Sequence, residues 1–129
     1  MPLLAKGTLQ AATVIAKTTQ TLIGAEIACD GYEYLTLFFT YVKGDETGVI
    51  ITPSVLDKVG GTAYAYREQT ATGGAFTLTD TKITLTANKS SYMTFDVRGL
   101  GAMKFTQGGS NNDGTPTGTL AAYYTLKAA

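Results

Sequence analysis

Apolar and polar side chains alternate with a period of two along most of this chain, and no stretch sustains the 3.6-residue period of an amphipathic helix. The pattern is clearest from Tyr32 to Val42. Leu35, Leu37, Phe39 and Tyr41 fall on one side, and Tyr34, Thr36, Phe38 and Thr40 on the other. Aromatic rings on both sides predict a central strand covered on both faces, with a neighbouring subunit as one candidate cover.

Turn signals punctuate the rest. Lys43-Gly44-Asp45-Glu46-Thr47 predicts a polar turn in which both carboxylates stay solvated. Gly48–Thr52 resumes as a strand that Pro53 closes or marks as an edge. After Gly60-Gly61, Thr62–Glu68 alternates again with Tyr64 and Tyr66 on one face, up to Gly73-Gly74. Ile83 and Leu85, then Met93, Phe95 and Val97, then Met103 and Phe105, are the inward sides of later strands. Asn88-Lys89-Ser90 forms a turn, and Arg98-Gly99-Leu100-Gly101-Ala102 a tight crossing where backbones approach closely. Leu120, Ala122, Tyr124 and Leu126 line the last strand.

Eight or nine strands at short intervals predict an all-β fold. The expected form is an antiparallel two-sheet β-sandwich of jelly-roll type, with an immunoglobulin-like sandwich as the alternative. A length of 129 residues suits one domain. Residues 1–31 are expected to be N-terminal strands or a docking arm, and residues 32–129 the sandwich core. Met1–Ala16 makes a poor secretion signal, and no apolar run is long enough to span a membrane, so no membrane partner is expected.

Ten basic and ten acidic residues cancel, which argues against nucleic acid as a partner. The chain has no His, so a Ser–His or Cys–His nucleophile pair and a Cys/His zinc site cannot be built. The single Cys29 rules out an internal disulfide and is expected to be a packed thiol. Glu33 and Asp96 are the remote carboxylates that a glycosidase would need to bring together, yet nothing in the sequence does so. Asn111, Asn112 and Asp113 offer oxygen donors in a glycine-rich loop over 108–114, but one carboxylate is too few for tight calcium binding. The expectation is a non-enzyme with no cofactor or metal.

Eight tyrosines are many for this length, and tyrosine offers large contact area at low entropic cost. Tyr32, Tyr34, Tyr64, Tyr66 and Tyr123 are the candidate interface residues. The same rings would also serve a carbohydrate-binding face.

Tyr32-Glu33-Tyr34-Leu35-Thr36-Leu37-Phe38, running into Tyr41-Val42-Lys43-Gly44-Asp45-Glu46-Thr47, resembles a pattern in small β-rich proteins encoded among the head and tail genes of tailed phages. Gly114-Thr115-Pro116-Thr117-Gly118 and the final strand Thr119–Leu126 extend the likeness over residues 32–127. The resemblance implies a virion structural protein, above all a capsid decoration or auxiliary head protein on the capsid surface, made in the host cytoplasm. It implies the major capsid protein as partner and a homo-oligomer, with a trimer favoured. The alternative is a tail- or neck-associated module that binds carbohydrate or a receptor.

Overall fold

The computed structural model describes residues 4–72, 75–110 and 114–128, with the backbone alone over 68–79. The described residues contain no helix. Their strands are β1 (Leu4–Val14), β2 (Thr21–Leu22), β3 (Ile27–Ala28), β4 (Tyr34–Val42), β5 (Val49–Leu56) and β6 (Ala63–Ala65). They continue as β7 (Arg67–Thr72), β8 (Ala75–Asp80), β9 (Ile83–Leu85), β10 (Lys89–Asp96), β11 (Ala102–Gly109) and β12 (Thr119–Lys127).

Two antiparallel sheets face each other. One has the order β1-β12-β4-β10. In the other, β11 pairs with β2 and β3 on one side and with β5 on the other, and β6 and β9 both lie along the far side of β5. Because β2 with β3, and β6 with β9, each fill one lateral position, the strand positions in chain order are 1-8-3-6 and 2-7-4-5. That is the double Greek key of a jelly roll. The β7–β8 hairpin is an excursion within the fifth position and pairs only with itself among the described residues.

The hairpin explains why the alternation over Thr62–Glu68 is not one strand. The chain breaks at Tyr66, whose N–H donates to the Pro53 carbonyl and whose carbonyl accepts from Thr81 N–H, and then leaves the sheet as β7. Pro53 does not end its strand either. It is buried within β5, opposite Phe105. A strand residue directs its N and O to the same neighbour, so the missing Pro53 donor points where its carbonyl does, into the gap between β9 and β6. Lys89 and Ser90 likewise belong to β10 rather than to a turn.

The core lies between the sheets. Leu35, Leu37, Phe39 and Tyr41 are buried from β4, Phe95 and Val97 from β10 and just beyond it, Met103 and Phe105 from β11, and Leu120, Ala122 and Leu126 from β12. These are the inward sides that the alternation predicts. Phe95 packs edge-to-face with Tyr66 at 4.9 Å between ring centres and tilted against Phe105 at 5.4 Å. Burying each such large side chain contributes about 1.5–3 kcal/mol. The first 31 residues supply an edge strand to one sheet, two short strands to the other, and Ile15, Ile23, Ile27 and Cys29 to the shared core.

The polar turn after β4 differs from the solvated pair expected of it. Asp45 is exposed, but Glu46 is 3% exposed. Its carboxylate accepts from the Tyr41 hydroxyl, from Gly44 N–H at 2.8 Å, from Thr117 N–H at 3.1 Å and from Gly118 N–H at 2.7 Å. Asp45 N–H donates to Thr117 Oγ1 at 2.9 Å. Glu46 thereby joins the β4–β5 turn to the Thr-Pro-Thr-Gly segment that leads into β12. Burial pushes the carboxyl up, but the Tyr41 hydroxyl and the N–H groups of Gly44, Gly118 and Glu46 itself outweigh it and hold the pKa at about 2. Burial, and then the Glu46 carboxylate, push the Tyr41 phenol up.

Candidate binding face

The outer face of the β1-β12-β4-β10 sheet carries a row of aromatic residues that none of the other described residues covers. Register sets the row. Tyr92 of β10 lies opposite Phe38 of β4, Phe38 opposite Tyr123 of β12, and Tyr123 opposite Thr8 of β1. Phe38 and Tyr123 stack at 4.7 Å with 7° between their planes, and Tyr92 tilts against Phe38 at 5.9 Å. Tyr92 is 65% exposed and Tyr123 50%. The strand β4 is central, as expected, but among the described residues its second face carries only side chains of its own sheet.

Beside the row runs a line of small residues, Ser90, Thr40 and Ala121, also paired in register across β10, β4 and β12. With Ala11 and Gln10 of β1 they floor a shallow trough of about 430 Å³, walled by Tyr92, Phe38 and Tyr123. None of the residues lining it is charged. Thr40 and Ser90 share a hydrogen bond at 3.2 Å, and Thr36 and Thr94, on the other side of the rings, share one at 2.9 Å. Gln10 Nε2 donates to the Leu120 carbonyl at 2.8 Å, where the β1–β12 register shifts.

Lys6 of β1 lies in the row of Thr125, Thr36 and Thr94, next to the rings, and further charge collects at the end of this face beyond it. Lys127, Tyr34 and Asp96 are paired across β12, β4 and β10. Arg98 contacts Asp96 at 2.6 Å and lies 5.9 Å from the centre of the Tyr34 ring. Its hydrogen bonds hold the Asp96 carboxyl below the usual carboxylate range.

Of the five candidate interface tyrosines, Tyr34 and Tyr123 share this face. Tyr64 is exposed on β6 in the opposite sheet. Tyr32 and Tyr66 are half-buried against the core. Phe38 and Tyr92 complete the row and were not among the candidates. Alternation already puts Phe38 on the side of Tyr34, whereas the place of Tyr92 beside it depends on a pairing between distant strands.

The described residues assemble no reactive centre. Cys29 is 1% exposed, and burial pushes its thiol up to about 11, so it stays protonated and packed. Asp96 is engaged with Arg98 rather than with Glu33. No three His, Cys, Asp or Glu side chains come together among the described residues. Asn111, Asn112 and Asp113 lie outside them.

No protein-family model matches the chain, and no curated protein matches it. Solved structures do. The chain is similar over 99% of its length to 96% of the SPBc2 prophage-derived protein YomS, with a TM-score of 0.62 at 20% identity. It is similar over 98% of its length to 31% of a chain of the T13 IBDV viral particle, with a TM-score of 0.57 at 8% identity, and so spans about a third of that protein. It is also similar over 98% of its length to 88% of a chain from the disulfide-linked pili of Bacillus endospore appendages, with a TM-score of 0.52 at 12% identity. At these identities the likeness is one of fold: an all-β jelly roll shared with prophage-derived, viral-particle and appendage proteins.

Proposed function

We propose that this chain is a structural protein of a tailed-phage virion, of the capsid decoration or auxiliary head type, that adds to the shell without chemistry of its own. The observation that carries this reading is the end-to-end fold likeness to a prophage-derived protein, in which neither chain has a large part left over. The likeness to a viral-particle protein points the same way. A pilus built on disulfides fits less well, because the one cysteine here is buried and cannot reach a neighbour.

The energetics agree. Exposed apolar residues outside the aromatic row are spread over the molecule: Leu4 and Val14 at the two ends of β1, Leu22 on β2, Tyr34 and Val42 at the two ends of β4, Val59, and Tyr64 on β6. Each offers a modest contact, and a protein repeated around a shell gains avidity from many modest contacts. Zero net charge also removes the repulsion that would keep copies apart. The partner in this reading is the major capsid protein, and the assembled form is a homotrimer.

The test is mass spectrometry of purified particles of the encoding phage, with native mass spectrometry of the isolated chain. The expected result is a stoichiometric virion component that rebinds saturably to stripped shells as a trimer. Absence from the particles together with no saturable binding to shells would overturn the reading.

A further inference from the structure

We infer that the trough beside the Tyr92–Phe38–Tyr123 row is a binding site for an uncharged polysaccharide. This goes beyond the shell-protein reading and does not depend on it, because the glycan site is tested on the isolated chain.

Three observations carry the inference. The first is the composition of the walls. Phe38 and Tyr123 cover one another's faces, so the free ring surfaces are those at the ends of the row, on Tyr92 and Tyr123, which are also the most exposed of the three. A pyranose ring presents C–H groups on one face and hydroxyls at its rim. It can pack on such rings while its hydroxyls reach the floor.

The second is the floor. Thr40 and Ser90 hydrogen-bond to each other, and each hydroxyl has one donor and two acceptor sites, so the pair keeps capacity for a ligand. Ala121, in line with the two hydroxyls, and Ala11 keep the β12 and β1 end of the floor low. The trough crosses all four strands, about 14 Å between the outer strand axes at ~4.8 Å spacing. That is long enough for several linked sugars.

The third is charge. No lining residue is charged; the charged residues Lys6, Lys127, Asp96 and Arg98 stand on the opposite side of the aromatic row from the floor. An acidic glycan would leave water without gaining a cation, and a basic peptide would find no carboxylate in the trough. A neutral glycan loses nothing on either count.

The experiment is an NMR titration of the full chain with maltohexaose, cellohexaose, xylohexaose and chitohexaose, with an oligogalacturonate as the acidic comparison. At least one neutral oligomer is expected to give saturable shifts centred on β10, β4 and β12 and to bind more tightly than the oligogalacturonate. Tyr92→Ala and Tyr123→Ala should each weaken that binding by about tenfold, the loss expected of an aromatic anchor. Tyr92→Phe should retain it, and Tyr64→Ala, in the opposite sheet, should not change it. The amide spectra of the variants show separately that they fold. No saturable shift from any of the neutral oligomers at millimolar concentration would overturn the proposal. So would equal binding of the oligogalacturonate, shifts centred elsewhere, or full binding by Tyr92→Ala and Tyr123→Ala.

Discussion

The Tyr41 hydroxyl donates a hydrogen bond to Glu46 Oε2 across the end of β4, and the same carboxylate accepts three backbone N–H groups, one from its own turn and two from the segment before β12. A buried charge is costly unless its acceptor sites are filled, and here they are. Glu46→Gln keeps the shape but puts an NH2 group against N–H donors. The expected loss is about 3 kcal/mol, the cost of stranding buried donors beside a lost charge. Tyr41→Phe keeps the ring and removes one donor, for a loss of about 1–2 kcal/mol. Chemical denaturation with both variants checks the order. A Glu46→Gln protein as stable as wild type would contradict it.

The same site sets a response to acid. The Glu46 carboxyl has a pKa of about 2 in the folded chain, against an ordinary value of 4.5. A depressed folded pKa contributes stability that is complete above the unfolded value and is lost as pH falls toward the folded one. Thermal melting should therefore be flat in this contribution above about pH 5 and decline progressively toward pH 2. The decline should be smaller in Glu46→Gln, which has no proton to take up. Tyr41→Phe removes a group that holds the carboxyl down, so its decline should start where that of wild type does, end at a higher pH and be smaller. Parallel melting curves for all three proteins from neutral to acid pH would count against this account.

Much of the fold is legible in the residue order, because burial between two sheets forces alternation. Leu35, Leu37, Phe39 and Tyr41 declare the inner face of β4 before any pairing is known. What the order conceals depends on pairing between distant segments. Tyr92, Phe38 and Tyr123 form one row only because β10 and β12 flank β4 in a particular register. Glu46 looks like any acidic turn residue, since two of its donors, Thr117 and Gly118, lie about seventy positions away. Pro53 looks like a strand end because the gap between β6 and β9 that accommodates it arises from the hairpin inserted between them.

Tyr64 and Tyr66 illustrate the same point and can be separated by measurement. Two residues apart in sequence, one is 61% exposed and the other packs edge-to-face with the buried Phe95 ring. Tyr66→Ala should cost about 3 kcal/mol, near the lower end for removing an aromatic side chain from a core, since Tyr66 is only partly buried. Tyr64→Ala should stay within about 0.5 kcal/mol of wild type, as exposed substitutions do. Equal melting temperatures for the two variants would show that the break at Tyr66 is misplaced.

Gly99 and Gly101 are the last contrast, because they are glycine for different physical reasons. Gly99 has φ of 81°, and a Cβ there would meet nothing within 4 Å. Its constraint is conformational, so Gly99→Ala should cost about 1–2 kcal/mol, the penalty for a left-handed L residue. Asn tolerates that region and should recover part of the loss. Gly101 is buried where its N–H donates to the Leu56 carbonyl and its carbonyl accepts from Cys29 N–H, both at 3.0 Å. A Cβ there would overlap the Asp57 carbonyl and lie 2.7 Å from Lys58 Cα, and backbone atoms cannot rotate aside. Gly101→Ala should therefore cost at least as much as the ~1–3 kcal/mol typical of overpacking, and Gly101→Asn should be worse still. Denaturation midpoints for the four variants check the crossing. If Asn rescued position 101 as it does position 99, the close approach of the chain between β5 and β6 to that between β10 and β11 would not be what demands glycine.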